Sequence, residues 1–547
     1  MALAARCFYL QSVKAEHYLD ESLKQQRAFR SRQPQRGVIL DCRGRVLAAS
    51  NGVQTIFVDP QEIKDPKDTS NELAPVVDMG AHIICQKIHE SSSPRFARIK
   101  NTTDPVECEA ARRIHGIGTY SDWQRHYPMG RLVSNVIGFT GVDGGLEGIE
   151  FKYDQALSGS PARNFFLIDP YRRPIRPKEQ DGVLTNGVGI ILTIDSTIQQ
   201  FARDELAKRI AEYEAESGVA IVAEPRSGAI LAMVSLPDFD PDHVGTTDPN
   251  NFRSRAITDS FEPGSILKPI AAAIALDAGV VNTTEKIFCE NKPYSGKHNG
   301  KSFGTIREYK EYFGDLTVRE ILMKSSNIGM AKIGQRLDKE RLYEGLRLFG
   351  FGEKTGIELP GEVDGLLWTP DKWTSYSVAR IPWGQEISVT AMQMVRAYCI
   401  LANGGRLVNP FLVRAIVDND GKVNQLQQPP PPVGFLIKND VARWVVGEAL
   451  VSVVNEGGGK RAKLDKWQVF GKTGTANIAK SDSRGYSQRD YVSSFICGAP
   501  AEDPAIVVLV SIRKPNRSLG KHYIGGIVAA PVAARIVERT LTYLGVD

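Results

Sequence analysis

The chain has 547 residues, 42% of them hydrophobic and 24% charged, a length that one hydrophobic core does not usually organise, so at least two domains are expected. Its 68 basic and 63 acidic residues leave a net charge of only +5 with no long Lys/Arg run, which argues against an extended nucleic-acid footprint. The seven cysteines are scattered singly and, with the eight histidines, form no CxxC or HExxH pattern, so no metal, no cofactor and no disulfide framework is implied.

Residues 1–31 read as a helical, charged lead whose only apolar run, broken by Arg6, is about ten residues against about 20 for a bilayer span. From residue 36 to about 185, short β-like runs alternate with turn signals and a few helical stretches, which predicts an irregular α+β module. The Pro-rich, charged stretch 169–182 lacks periodicity and reads as the boundary between this module (32–185) and a second part (186–547). That part opens with the strand-like GVGIILTID and the amphipathic helix STIQQFARDELAKRIAEYEAE, with Ser196 as N-cap. The hairpin signature GVAIVAEPRSGAILAMVS follows. Near the far end, YVSSFICGAP and PAIVVLVSIR form a second hairpin pattern before the closing helix APVAARIVERTLTYL, so the first and last elements of this part are expected to share one sheet. The proline run in 427–434 reads as a surface excursion.

Chemistry concentrates at three places. Ser265 and Lys268, in FEPGSILKPIAAAIALDAG, are one helical turn apart and can touch. A lysine kept neutral by burial and cationic neighbours can take the proton of a serine hydroxyl and turn it into a nucleophile. The same SxxK spacing recurs at Ser511 and Ser518, but the first lies inside a strand, where residues three apart point to opposite faces, and the second in a polar loop. Ser325 and Asn327, in KSSNIG, place a hydroxyl and a carboxamide at a helix start, where they can flank a nucleophile; taken alone, Ser325 is as well read as a cap. Lys472-Thr473-Gly474-Thr475 follows a β-like run and is expected on a strand at a sheet edge, open to a peptide-like ligand, with Gly474 making room for it. The second KTG, at Lys354-Thr355-Gly356, follows a Gly-punctuated helix end and reads as a structural turn.

Ser265-xx-Lys268, Ser325-x-Asn327 and Lys472-Thr473-Gly474, in this order, resemble the signature set of the penicillin-interacting serine transferases and hydrolases. RGVILDCRGRVLA, RHYPMGRLVSNVIGFTGVDGGLEGIE, RSRAITDSFEPGSILKP and GQEISVTAMQMVRAY extend the resemblance, over residues 32 to 545, to division-type class B penicillin-binding proteins. The resemblance implies an α+β chain: a non-catalytic β-rich pedestal, then a transpeptidase domain with a five-stranded antiparallel sheet between helical layers. It implies D,D-transpeptidation of peptidoglycan stem peptides through an acyl-enzyme on Ser265, with Lys268 as base, Ser325 as proton relay and Asn327 as substrate clamp. Lys472 and Thr473 would receive the terminal carboxylate, and the N–H groups of Ser265 and Thr475 would form the oxyanion hole. Implied partners are β-lactam antibiotics, an FtsW-like SEDS-type glycan polymerase and other divisome proteins. The implied location is the inner membrane with the catalytic domain in the periplasm, although the membrane helix usual in the family does not appear in this sequence. Cys42 stands where the family tends to place a basic residue, and SVTAMQ replaces the commoner TPLQ.

Alternatives remain. An elongation or sporulation transpeptidase would carry the same motifs, and so would an inactive division scaffold. A β-lactamase would need a deacylating base, and no ExxxN follows Asn327. GKHNGKS resembles a phosphate-binding loop but is one residue short between its glycines.

Overall fold

The computed structural model describes residues 2–19, 27–168, 174–181, 183–298, 300–309, 311–425, 434–479 and 485–547. The lead is helical over Ala2–Phe8 and Tyr9–Val13, as its composition predicts, but becomes a strand at Arg27–Arg32. No helix among the described residues is long and apolar enough to cross a membrane. The expected irregular boundary is partly sheet: Pro174–Asp181 pairs with Ala162–Ile168, which pairs in turn with Arg27–Arg32. Prolines are tolerated there because Pro174–Asp181 is an edge strand of this sheet, where a missing N–H breaks no second ladder. Positions 169–173 and 182, and most of the excursion at 427–433, lie outside the described residues.

Twelve strands place the rest of the chain: β1 (Ile39–Leu40), β2 (Val46–Val58), β3 (Ala97–Thr102), β4 (Ile117–His126), β5 (Gly189–Leu192), β6 (Ser217–Ala223), β7 (Ile230–Leu236), β8 (Val413–Val417), β9 (Val423–Gln425), β10 (Phe470–Ala479), β11 (Tyr486–Ala499) and β12 (Ile506–Arg513). Six helices matter with them: α1 (Ser196–Tyr213), α2 (Lys268–Asp277), α3 (Val318–Lys324), α4 (Asn327–Leu337), α5 (Ala391–Ala402) and α6 (Ala530–Leu544). One sheet runs β9-β8-β5-β1-β2-β3, with β4 also on β2. Strand β5, expected in the sheet of the second part, instead lies parallel to β1 of the first module and antiparallel to β8. Its GIIL run is apolar on both faces, so periodicity gives no sign of which sheet it joins.

The other sheet is antiparallel throughout, in the order β7-β6-β12-β11-β10, and both expected hairpins are in it. Its strands alternate between two cores. Ile221, Leu509, Val507 and Ile496 face the cluster that contains α2 and α5, whereas Ala220, Val222, Val508, Val510 and Phe495 face α1 and α6. A period of two on strands buried on both faces produces this arrangement of helices above and below.

Local chemistry starts the helices. Asp195, not Ser196, is the N-cap of α1, its side chain accepting from the Thr197 N–H; the Ser196 hydroxyl donates to Asp41 instead. Thr390 and Gln393, within the unusual SVTAMQ, form a capping box on α5, so the departure from TPLQ keeps the helix start intact. The described residues of GKHNGKS lie at the ends of the paired strands Tyr294–His298 and Lys301–Ile306 rather than at a helix start that could receive a phosphate.

Candidate active site

Ser265 sits in a 3-10 turn, Gly264–Leu267, that runs directly into α2. The Lys268 N–H donates to the Ser265 carbonyl and closes the turn, which sets the two residues one turn apart. The turn is held from two sides. Gly264 has φ +54°, and its N–H donates to the Gly384 carbonyl at 3.0 Å. A Cβ on Gly384 would stand 2.1 Å from the Gly264 carbonyl oxygen, so the two backbones meet with no room for a side chain. From α5, the buried Tyr398 donates its hydroxyl to the Ile266 carbonyl at 2.9 Å.

Lys268 is fully buried, and so is Lys472. The Lys268 amine donates to the Ser325 carbonyl at 2.5 Å and to Asn327 Oδ1 at 2.8 Å, and lies 3.1 Å from Ser325 Oγ. Lys472 Nζ approaches the same Ser325 Oγ at 2.9 Å. Burial, then the charge of Lys472, push Lys268 well below the ordinary lysine range, while Glu308 opposes them. Burial alone brings Lys472 down to about 7. A neutral amine has two N–H donors and one lone pair. The carbonyl of Ser325 and the amide oxygen of Asn327 can only accept, so they take the two N–H groups. The lone pair is then left to a hydroxyl, that of Ser325 or that of Ser265.

Ser325 is not an N-cap. It ends α3 in the left-handed region, φ 59°, and Ser326 caps α4 through the Gly329 N–H. That break turns the Ser325 hydroxyl and carbonyl toward Lys268. Asn327 is held at both ends, with Oδ1 on Lys268 and Nδ2 donating to the Arg307 carbonyl at 3.0 Å.

Glu308 was not singled out by the sequence. Its carboxylate accepts from the Ser326 hydroxyl at 2.5 Å and from the Asn327 and Ile328 N–H groups at 2.8 and 3.1 Å, so it anchors the start of α4 and faces Lys268 with negative charge. It lies in an irregular stretch 18 residues before Ser326, and no local pattern marks it. Tyr398 did leave a signal, a phenol in the apolar face of α5 that must find a partner when buried.

Lys472-Thr473-Gly474-Thr475 lies on β10, the edge strand, as expected. Alternation sends Lys472 inward and leaves Thr473 and Thr475 half-buried. Gly474 makes room for protein rather than ligand: a Cβ there would lie 3.0 Å from Ile266 and 3.2 Å from the Pro263 carbonyl. Its bareness lets the strand close on the turn that carries Ser265. Thr475 Oγ1 accepts from the Gly525 N–H at 3.1 Å.

The rejected copies behave as read. Lys354 is exposed, and Glu362 receives the Thr355 and Gly356 N–H groups to brace the turn. Ser511 is buried in β12 against Ser494, and Ser518 bonds Asn516 in a short loop helix.

Two family models match the chain: the penicillin-binding protein dimerisation domain over residues 31–188 and the penicillin binding protein transpeptidase domain over 218–538. Stage V sporulation protein D of Bacillus subtilis is 34% identical across 94% of this chain and 79% of its own length. A probable peptidoglycan D,D-transpeptidase PenA of Neisseria meningitidis is 32% identical over 100% of this chain and 90% of its own, and the peptidoglycan D,D-transpeptidase FtsI of Escherichia coli is 29% identical over the same shares. Penicillin binding protein 3 of Mycobacterium tuberculosis, complexed with aztreonam, superposes with a TM-score of 0.73 at 25% identity, covering 95% of this chain and 98% of that one. With both domain models in order along the chain and relatives matching it nearly end to end, the chain belongs to the class B penicillin-binding proteins, a family of peptidoglycan D,D-transpeptidases.

Proposed function

We propose that Ser265 is the nucleophile of a serine-type D,D-transpeptidase that crosslinks stem peptides in septal wall synthesis. Ser265 Oγ attacks the penultimate D-alanyl carbonyl and gives its proton to the lone pair of Lys268. The C–N bond to the terminal D-alanine then breaks, and the leaving amine takes a proton passed through Ser325. An amine of a neighbouring stem attacks the resulting ester, forming the new amide and returning the hydroxyl of Ser265. The N–H groups of Ser265 and Thr475 hold the oxyanion. Thr473 receives the terminal carboxylate, with the charge of Lys472 behind it. Asn327 fixes Lys268 and, by releasing the Arg307 carbonyl, offers Nδ2 to a substrate amide. β-Lactams would acylate Ser265 in the same way.

The observation that supports this most is the burial of Lys268 one turn after Ser265, pressed toward neutrality by Lys472. We place the pedestal at 32–185 and the transpeptidase domain at 186–547. By analogy with the family, the chain would be anchored at the inner membrane, face the periplasm and work beside an FtsW-like polymerase. A sporulation role is the second reading, favoured by the name of the Bacillus subtilis relative. The test is exchange of the terminal D-alanine of a stem pentapeptide for a labelled D-amino acid. Exchange by the protein and none by Ser265→Ala is expected; exchange by Ser265→Ala would overturn the proposal.

A further inference from the structure

A cleft of about 410 Å³ opens beside the nucleophile turn, its walls including Glu262, Trp368, Lys372, Trp373, Glu386 and Tyr486. The chain fixes its position. Glu262 lies three residues before Ser265, and Glu386 two beyond Gly384, whose carbonyl accepts from the Gly264 N–H. The segments that carry them are joined by the short ribbon Ser260–Phe261 paired with Val389–Thr390. Tyr486 opens β11 opposite Ala479 of the edge strand, and its hydroxyl donates to Glu262 at 2.8 Å. The cleft therefore stands at the end of β10 away from Lys472.

The charged groups around it divide unequally. Glu386 is held by the Ser377 hydroxyl at 2.6 Å and by Arg380 at 3.5 Å. The ammonium of Lys372 lies over the Trp368 ring, 4.8 Å from its centre. Glu262 accepts only neutral donors, the Tyr486 hydroxyl and the Glu386 N–H at 3.1 Å, and forms no ion pair among the described residues. Burial pushes its carboxyl above the usual range in spite of both bonds. Among the described residues the cleft thus offers a carboxyl with the charge of Arg380 near it but with no ion pair, framed by two indoles, a setting that suits a cation on an alkyl stem.

Strand geometry supplies the ligand. A donor laid antiparallel on the free edge of β10, with its carboxylate at Thr473 and its reacting carbonyl at Thr475, carries its preceding residues past Asn477 toward Ala479. We propose that the cleft takes the ammonium-bearing side chain of the donor residue that precedes the reacting D-alanyl unit, with Glu262 as its counter-charge and Trp368 and Trp373 against its methylenes. The inference rests on Ser265 being the nucleophile.

The test uses two matched thioester donors, one with a free lysine ε-ammonium before the reacting D-alanyl residue and one with that amine acetylated. Acylation rates of the full chain are compared by quench and intact mass, with benzylpenicillin labelling run alongside to report whether Ser265 reacts at all. The free-amine donor is expected to acylate about tenfold faster, the scale of one charge-assisted contact, and Glu262→Gln to bring the ratio close to one. Equal rates for the two donors in the unaltered protein would overturn the proposal without any variant, and so would a preference that survives in a folded Glu262→Gln. Loss of benzylpenicillin labelling would instead remove the nucleophile assignment beneath it.

Discussion

Two lysine amines, those of Lys268 and Lys472, meet at the single hydroxyl of Ser325, and their charges oppose each other across it. The pH dependence of acylation follows. As the proposed base, Lys268 must be neutral to accept a proton, so the rate should fall on the acid side as the amine protonates. Glu308 favours the ammonium; Glu308→Gln removes that influence, and the acid limb should move to lower pH. Lys472→Ala removes the opposing charge and should move it to higher pH, while slowing acylation about 10²-fold, the scale of losing one preorganised electrostatic contact. Rate–pH profiles of both variants with one β-lactam check the pair, and shifts in the same direction would contradict it. Lys354→Ala should leave the rate alone and cost within about 0.5 kcal/mol, as an exposed turn lysine. The three motif pairs were legible because their spacing carries chemistry. Glu308 was not, since its contact with α4 is made through space from an irregular segment.

At the scale of elements, the active site is a junction of a 3-10 turn, a helix break and a sheet edge, each closed by residues with little or no side chain. Gly474→Ala should push β10 away from Ile266 and Pro263, costing about 1–3 kcal/mol for overpacking and slowing acylation as the Thr475 and Ser265 N–H groups, the proposed oxyanion donors, separate. Melting curves and acylation rates on one preparation check this; an unchanged rate would show that strand and turn are not in register as described. Tyr398→Phe leaves the Ile266 carbonyl short of a donor in a buried place and should cost about 1–3 kcal/mol. The edge strand and both hairpins were readable from turn residues and β-branched runs. The partner sheet of β5 was not, because a short run buried on both faces has no polar side to orient it. The role of Gly474 was misread for a related reason: sequence shows that a glycine makes room, but not for which neighbour.

Across the whole molecule, the first module is joined to the second through carboxylates. Arg45 bridges Asp41 at 2.6 Å, Asp195 at 2.6 Å and Thr197 at 2.5 Å, and Arg43 holds Asp195 at 2.7 Å. Cys42, at the position where a basic residue was expected, places only a thiol 3.8 Å from Asp195, so the arginines on either side of the turn carry the pairing. Burial raises Asp41 and Asp195, but their hydrogen bonds outweigh it and hold both below the usual carboxylate range. Stability from these groups is present at neutral pH and lost as the medium is acidified through their folded pKa values. Arg45→Ala should therefore destabilise the protein at pH 7, by about 1–3 kcal/mol for a partly exposed arginine on a buried carboxylate, which lowers the melting midpoint, and reduce the loss on acidification. An undiminished acid dependence would place that dependence elsewhere. The central claim is that one hydroxyl, that of Ser265, is the nucleophile, and the most direct measurement is a peptide map of the protein after reaction with benzylpenicillin. A penicilloyl adduct on the peptide containing Ser265, persisting for many minutes after the drug is removed, is the predicted result. An adduct on a peptide containing Ser511 or Ser518 but not Ser265 would contradict the account.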